Sequence, residues 1–329
     1  MAPLRPLYIF LLLLCLFALT LLCALRFGTA QMSAEALLHG DAGLLPGRGF
    51  RALCAMTVGA ALAVSGLMLQ SLTGNPLADP GITGINAGAA LMAVATAQFA
   101  PSASAGVVMV SAIAGAGLAG LALWLLAGGD AGLGGEGIAL RLPLAGLAIE
   151  ALCLSLAMML ILTDAQSQAR YLHWISGAIP PVSRGETVPL LTICAALVAG
   201  IFLCNRLALL TLGADQSHSL GRNPRVTISL TLALVTVLSG ASVAIVGPIA
   251  FLGLLVPFVA RGLAGTELRR AYFYCLPLGA AVLMASDVAG RVIVRPGEID
   301  AGLILAMFGG VGLVMVLTRL LPRGAGVRS

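Results

Sequence analysis

Long apolar runs and short polar breaks alternate along the chain from end to end. The runs cover about Leu7–Leu25, Arg51–Leu72, Gly84–Phe99, Ala105–Ala127, Arg141–Thr163, Val188–Cys204, Val226–Val246, Pro248–Leu263, Ala271–Val294 and Ile299–Leu321. Most approach the ~20 residues with which a helix crosses ~30 Å of hydrocarbon. They predict an all-α integral membrane protein of about ten transmembrane helices, forming a single domain over residues 1–329. A signal peptide cleaved near Gly28-Thr29-Ala30 competes for the first run, although its apolar core would be unusually long. The breaks at 28–47 and 128–140 read as loops. Residues 166–182, with Tyr171, His173 and Trp174, predict a short interfacial helix. Residues 205–225 are the one sizeable polar stretch in the interior of the chain.

One stretch recurs. Gly59-Ala-Ala-Leu-Ala-Val-Ser-Gly66 is echoed 181 positions later by Gly240-Ala-Ser-Val-Ala-Ile-Val-Gly247, and Pro257, Gly262 and Gly265 fall opposite Pro76, Gly81 and Gly84. The shared offset predicts a duplicated helical bundle with copies beginning near 51 and 226. Five spans separate the two starts, so the copies cross the membrane in opposite senses. Such inverted repeats are a transporter signature, because two pseudo-equivalent halves can alternate access to a central path.

Composition narrows the chemistry. The chain is 60% apolar and 9% charged, with a mean hydropathy of +1.06, too little charge to cover a soluble surface. All 18 basic residues are arginine. Without lysine there is no Walker A lysine and no Schiff base, so any ATP that drives this protein is bound by another subunit. The seven cysteines lie in or beside apolar runs without a C-x-x-C pair, and read as membrane-buried thiols. His39, His173 and His218 fall in separate loops and predict no metal site; no cofactor and no catalytic set are expected. The net charge of +5 suits a membrane protein and gives no reason to expect nucleic acid. With the N-terminus inside, eleven arginines fall inside and seven outside, which favours cytoplasmic termini. Trp124 and Trp174 then lie near opposite interfaces.

A few residues invite functional readings. The glycines at 59, 66, 84, 88, 240 and 247 permit close helix packing. Pro76 and Pro257 lack a backbone donor and end or kink their helices. Glu150 lies deep in the fifth run, where a carboxyl is costly and faces the bundle interior or a watered path. Asp287 and Arg291 are spaced i, i+4 on the ninth run, in the order that favours an ion pair. Arg48, Arg51 and Arg291 fall on the outer side against the positive-inside tendency, and guanidinium groups suit bidentate carboxylate pairing.

These motifs carry a resemblance. Arg48-Gly-Phe-Arg51, the 59–66 run, Gln70, Asn75-Pro-Leu-Ala-Asp-Pro-Gly81, Leu212-Gly-Ala-Asp-Gln-Ser-His-Ser-Leu-Gly221, Gly247–Pro257, Asp287 and Arg291 together resemble the FecCD family of ABC-importer permeases, which carry ferric siderophores, haem or cobalamin. The sequence departs from the family pattern at Pro257-Phe258, at Glu298–Gly302 and at Gly309-Gly310-Val311.

The resemblance implies the type II importer fold and a homodimer in the cytoplasmic membrane of a bacterium. It implies ATPase subunits on the inner side and a periplasmic or extracellular binding protein outside. It assigns binding-protein docking to Arg48, Arg51 and Arg291. The 205–225 loop becomes the ATPase-coupling element, through Leu212, Gly213, Ala214, Ser217, Leu220 and Gly221. Asn75, Pro76 and Leu77 become the cytoplasmic gate, with Glu150 on the pathway. Ferric siderophore ranks first as cargo, then haem and cobalamin. The rival expectation is an ion-coupled secondary transporter using Glu150 or Asp287, which has no need of the 205–225 loop. A membrane enzyme has no convergent set of groups to work with.

Overall fold

The computed structural model describes residues 6–28, 45–128, 138–162, 171, 174–180, 185–210, 223–265, 267–294 and 297–320. Those residues form ten α-helices and no strand. They are α1 (Pro6–Arg26), α2 (Leu45–Thr73), α3 (Ile85–Phe99), α4 (Ala105–Leu126), α5 (Ile138–Ile161), α6 (Thr187–Leu210), α7 (Pro224–Val246), α8 (Leu252–Ala264), α9 (Leu268–Ile293) and α10 (Ala301–Leu320). The 3-10 turn Pro80–Thr83 precedes α3.

Seven of the helices are long and apolar enough to cross a bilayer: α1, α2, α4, α5, α6, α7 and α9. Of the other three, α3 and α8 are short helices. α3 has 15 residues and α8 has 13, about 22 and 20 Å at 1.5 Å per residue. Both follow irregular connections that carry buried residues, Ala78, Asp79, Pro80 and Thr83 in one and Gly247 and Ile249 in the other. Non-helical backbone is tolerated beside lipid only where protein covers it.

Helix ends follow backbone chemistry more closely than hydropathy does. α2 begins at Leu45, six residues before the apolar run, with Pro46 in its first turn where a missing N–H costs nothing. Arg48 and Arg51 therefore belong to the helix and do not precede it. α6 runs on to Leu210, past the expected end at Cys204. α7 starts behind Asn223, whose side chain accepts from the Arg225 N–H at 3.0 Å, with Pro224 next. α8 starts late because the chain turns first at Gly247 (φ 75°) and Phe251 (φ 66°).

α2 is the axis of the bundle. It packs on α9, α7, α8, α6 and α1, and is buried along most of its length. Small residues set the distances. A Cβ on Gly59 would run into the backbone of Gly279 on α9, and one on Gly66 into the carbonyl of Gly253 on α8. Gly88 and Gly115 bring α3 onto α4 in the same way, and Gly240 of α7 meets Ala116 of α4. With lipid outside, this close backbone approach is the main source of helix association. Side chains add specific ties: Tyr272 of α9 donates to the Leu197 carbonyl of α6, and Trp124 Nε1 of α4 donates to Ser229 Oγ of α7 at 3.0 Å.

Candidate functional site

At the C-terminal end of α1, five charged groups and a set of bare carbonyls come together. The last carbonyls of a helix have no partner within it and carry partial negative charge. Arg48 Nη1 donates to Leu25 O at 3.1 Å and to Arg26 O at 2.9 Å. Arg291 Nη1 donates to Phe27 O at 3.0 Å, and both its terminal nitrogens reach Ala24 O at 3.4 Å. Asp287 then bridges two guanidiniums, with Oδ1 2.8 Å from Arg51 Nη2 and Oδ2 2.8 Å from Arg291 Nη2. Arg51 also holds Glu298 at 2.9 Å. The expected Asp287–Arg291 pair is present, but the carboxylate serves α2 as well as α9.

Burial decides how this cluster acts. Arg48 and Arg51 are 9% exposed, Arg291 is 4% and Asp287 is 2%. The guanidiniums expected to point outward at a partner are turned inward, onto a carboxylate and the α1 terminus. Asp287, one of the two carboxyls considered for ion coupling, stands as counter-ion to two arginines.

The second group lies at the far end of α2. Asn75 Oδ1 accepts from the Leu77 N–H at 2.9 Å, the Asn75 N–H bonds Thr73 Oγ1 at 3.3 Å, and Ala78 N bonds Asn75 O at 3.1 Å. Asn75, Pro76 and Leu77 thus form a compact turn with Pro76 exposed and the other two half-buried. The turn is anchored behind itself: Asp79 Oδ1 accepts from Gly81 N at 2.6 Å and starts the 3-10 turn. That 3-10 turn presses on α5 at Gly146, where a Cβ would strike Ile82 and Thr83.

Glu150 is one turn further along α5. It is half-buried, at the border between the face packed on the 3-10 turn and the exposed face of Leu144, Leu147 and Leu152. The structure brings Glu150 near the Asn75–Gly84 connection and keeps both away from the arginine cluster, which sits at the other end of α2. Leu212, Gly213, Ala214, Ser217, Leu220 and Gly221 lie outside the described residues. The chain enters that segment from α6 at Leu210 and leaves it at the Asn223 cap of α7.

Three participants were not singled out from sequence. Glu298 is the second partner of Arg51, from 247 positions away. Arg261 of α8 donates to Leu67 O at 3.2 Å and Ser71 Oγ at 2.7 Å, tying α8 to α2 near the Asn75–Leu77 turn. Asp79 lies inside the Asn75–Gly81 motif, but nothing in the motif marks its contact with α8. Among the described residues no cluster of His, Cys, Asp and Glu could hold a metal.

Comparison with known proteins matches residues 9–319 to the FecCD transport family. The chain is 35% identical over 316 residues to the Fe(3+) dicitrate transport system permease protein FecC of Escherichia coli K12, covering 92% of this chain and 93% of that one. It is 37% identical over 303 residues to the ferric enterobactin transport system permease protein FepD of the same organism, covering 91% and 86%. A solved structure of a metal-chelate type ABC transporter in an inward-facing conformation superposes with a TM-score of 0.84, at 23% identity, over 96% of this chain and 100% of that one. At that identity the likeness speaks for the fold.

Proposed function

The chain belongs to the FecCD transport family, and we propose that it is the permease subunit of an ATP-binding-cassette importer for an iron chelate. The observation that carries this reading is the match along nearly the whole chain to permeases named for ferric citrate and ferric enterobactin. A ferric siderophore or ferric citrate complex is the proposed cargo, ahead of haem and cobalamin.

Two copies pair with the path between them, in the cytoplasmic membrane and with both termini inside. ATPase subunits seat against residues 211–222, and closure of the ATPases shifts the rigid α6 and α7 ends that frame this segment. The Asn75-Pro76-Leu77 turn closes the inner end of the path, and Glu150 on α5 lines it. The chain itself does no chemistry. A binding protein docks at the arginine end, where Arg48, Arg51 and Arg291 shape the docking surface through the helix ends they hold together. The glycine-lined crossings support alternating access, because helices in backbone contact move as rigid bodies.

Co-expression with candidate ABC ATPases tests the assembly. A purified complex of two permease and two ATPase subunits is expected, and loss of the ATPase on replacing Gly213 or Gly221 with Trp. A permease that purifies without any ATPase, and binds none on mixing, contradicts the proposal.

A further inference from the structure

The connection after α2 holds a carboxyl that the transport reading does not use. Asp79 is 8% exposed and its Oδ1 is occupied by the Gly81 N–H. Its Oδ2 is buried with no donor. That oxygen lies against the first turn of α8, 3.2 Å from where a Cβ on Gly253 would stand.

Gln70 of α2 meets the same glycine from the other side. Its Nε2 donates to Gly253 O at 3.4 Å and Leu254 O at 3.3 Å, which leaves Oε1 buried without a donor. Reversing the amide would set its oxygen against two carbonyls, so the orientation is fixed. Asn86, at the start of α3, adds a third buried oxygen without a donor. Its Nδ2 lies 4.0 Å from where a Cβ on Gly81 would stand, and Asp79 Oδ1 2.8 Å from the same point. Two acceptors at one crossing and a third beside Gly81, with no donor for any of them, is a costly arrangement in a buried site.

No cation balances Asp79. The elements packed on its 3-10 turn are α2, α3 and α5. α3 carries no titratable residue, and α2 none between Cys54 and Thr73. α5 brings Arg141, Glu150 and Cys153, and α8 brings Arg261, whose Nη2 is engaged with Leu67 O and Ser71 Oγ and whose buried Nε, eight residues along α8 from Gly253, has no partner. What the site lacks is hydrogen.

We propose that Asp79 is a proton-binding site, which takes a proton from water onto Oδ2 and so removes the buried charge and supplies a donor where there was none. The site lies outside the spanning helices, and burial pushes its carboxyl up to about 6, against the pull of the Gly81 N–H. A carboxyl raised above its unfolded value of about 3.9 stabilises the fold fully below that value, and the benefit is lost as pH rises through about 6. Protonation thus tightens the α2–α8 crossing four residues beyond Asn75. This holds whether or not the chain moves iron.

The test follows the thermal transition of the purified full-length permease between pH 5 and 8, in choline chloride and in sodium chloride. The parent is expected to gain stability as pH falls through about 6, and Asp79→Asn to start higher at pH 8 and lose that dependence. Infrared difference spectra on acidifying the parent should show a protonated carboxyl band that shifts on isotopic labelling of aspartate; exposed aspartates titrate near 4 and do not contribute. Parallel profiles for parent and Asp79→Asn overturn the proposal. So does an aspartate band that is missing near pH 6, or stabilisation by sodium at constant pH, which would make the ligand a metal cation.

Discussion

Replacing Asp287 with Asn is the sharpest probe of the packed end of the bundle. The carboxylate is 2% exposed and binds Arg51 through Oδ1 and Arg291 through Oδ2, each at 2.8 Å. Arg48, Arg51 and Arg291 face two carboxylates, Asp287 and Glu298, and the substitution raises the net positive charge of the cluster from one to two. Arg51 keeps Glu298, but Arg291 keeps only the backbone carbonyls of Ala24, Phe27 and Asp287 itself. Breaking a buried pair by removing one partner costs about 3–5 kcal/mol. Glu298 is 36% exposed at its side chain, so Glu298→Gln should cost no more than about 1 kcal/mol. The assay is thermal stability of the detergent-solubilised protein, read by size-exclusion chromatography after heating, with a double-mutant cycle. Asp287→Leu with Arg291→Met should be more stable than Asp287→Leu alone, because the pair is removed together. If Asp287→Asn matches the parent, or the two changes simply add, the cluster does not hold the helices as described.

Gly66→Leu should abolish folded protein, because the α2–α8 contact at Gly253 has no room even for a methyl, whereas Gly262→Ala, with open space around it, should leave yield and stability unchanged. Glu150→Gln should keep most transport, since the amide retains the polar contacts of a pathway group; loss of transport with a shifted pH profile in a folded protein would favour proton coupling. Charge reversal at Arg51 should lower stability before it alters docking, because it opposes Asp287 and Glu298 inside the fold; binding-protein affinity measured only on the folded fraction separates the two.

Hydropathy alone located all ten helices, because about 20 apolar residues in a row have few other uses. It misplaced the ends. The start of α2 carries Gly47, Arg48, Gly49 and Arg51, which lower the hydropathy of a stretch that is nonetheless helical. The apolar run opens at Pro248, four residues before α8, and nothing local in Phe251 marks the left-handed turn that delays the helix. The repeated glycines were legible as packing residues, but their partners were not, since Gly279 and Gly253 lie on other helices. The arginines show the limit most clearly. Sequence placed three of them at one end of the protein, and the Asp287–Arg291 spacing was readable along one helix. Whether Arg51 faces outward or inward depends on carboxylates 236 and 247 positions away.

Uptake in proteoliposomes tests the central claim most directly. The permease is reconstituted with its ATPase, with ATP enclosed on the ATPase side and iron-loaded binding protein outside, and accumulation of radiolabelled ferric citrate and ferric siderophore is followed. The account predicts accumulation that needs ATP and the ATPase and persists when a protonophore collapses the proton gradient. Accumulation that needs no ATP and vanishes with the protonophore would contradict it.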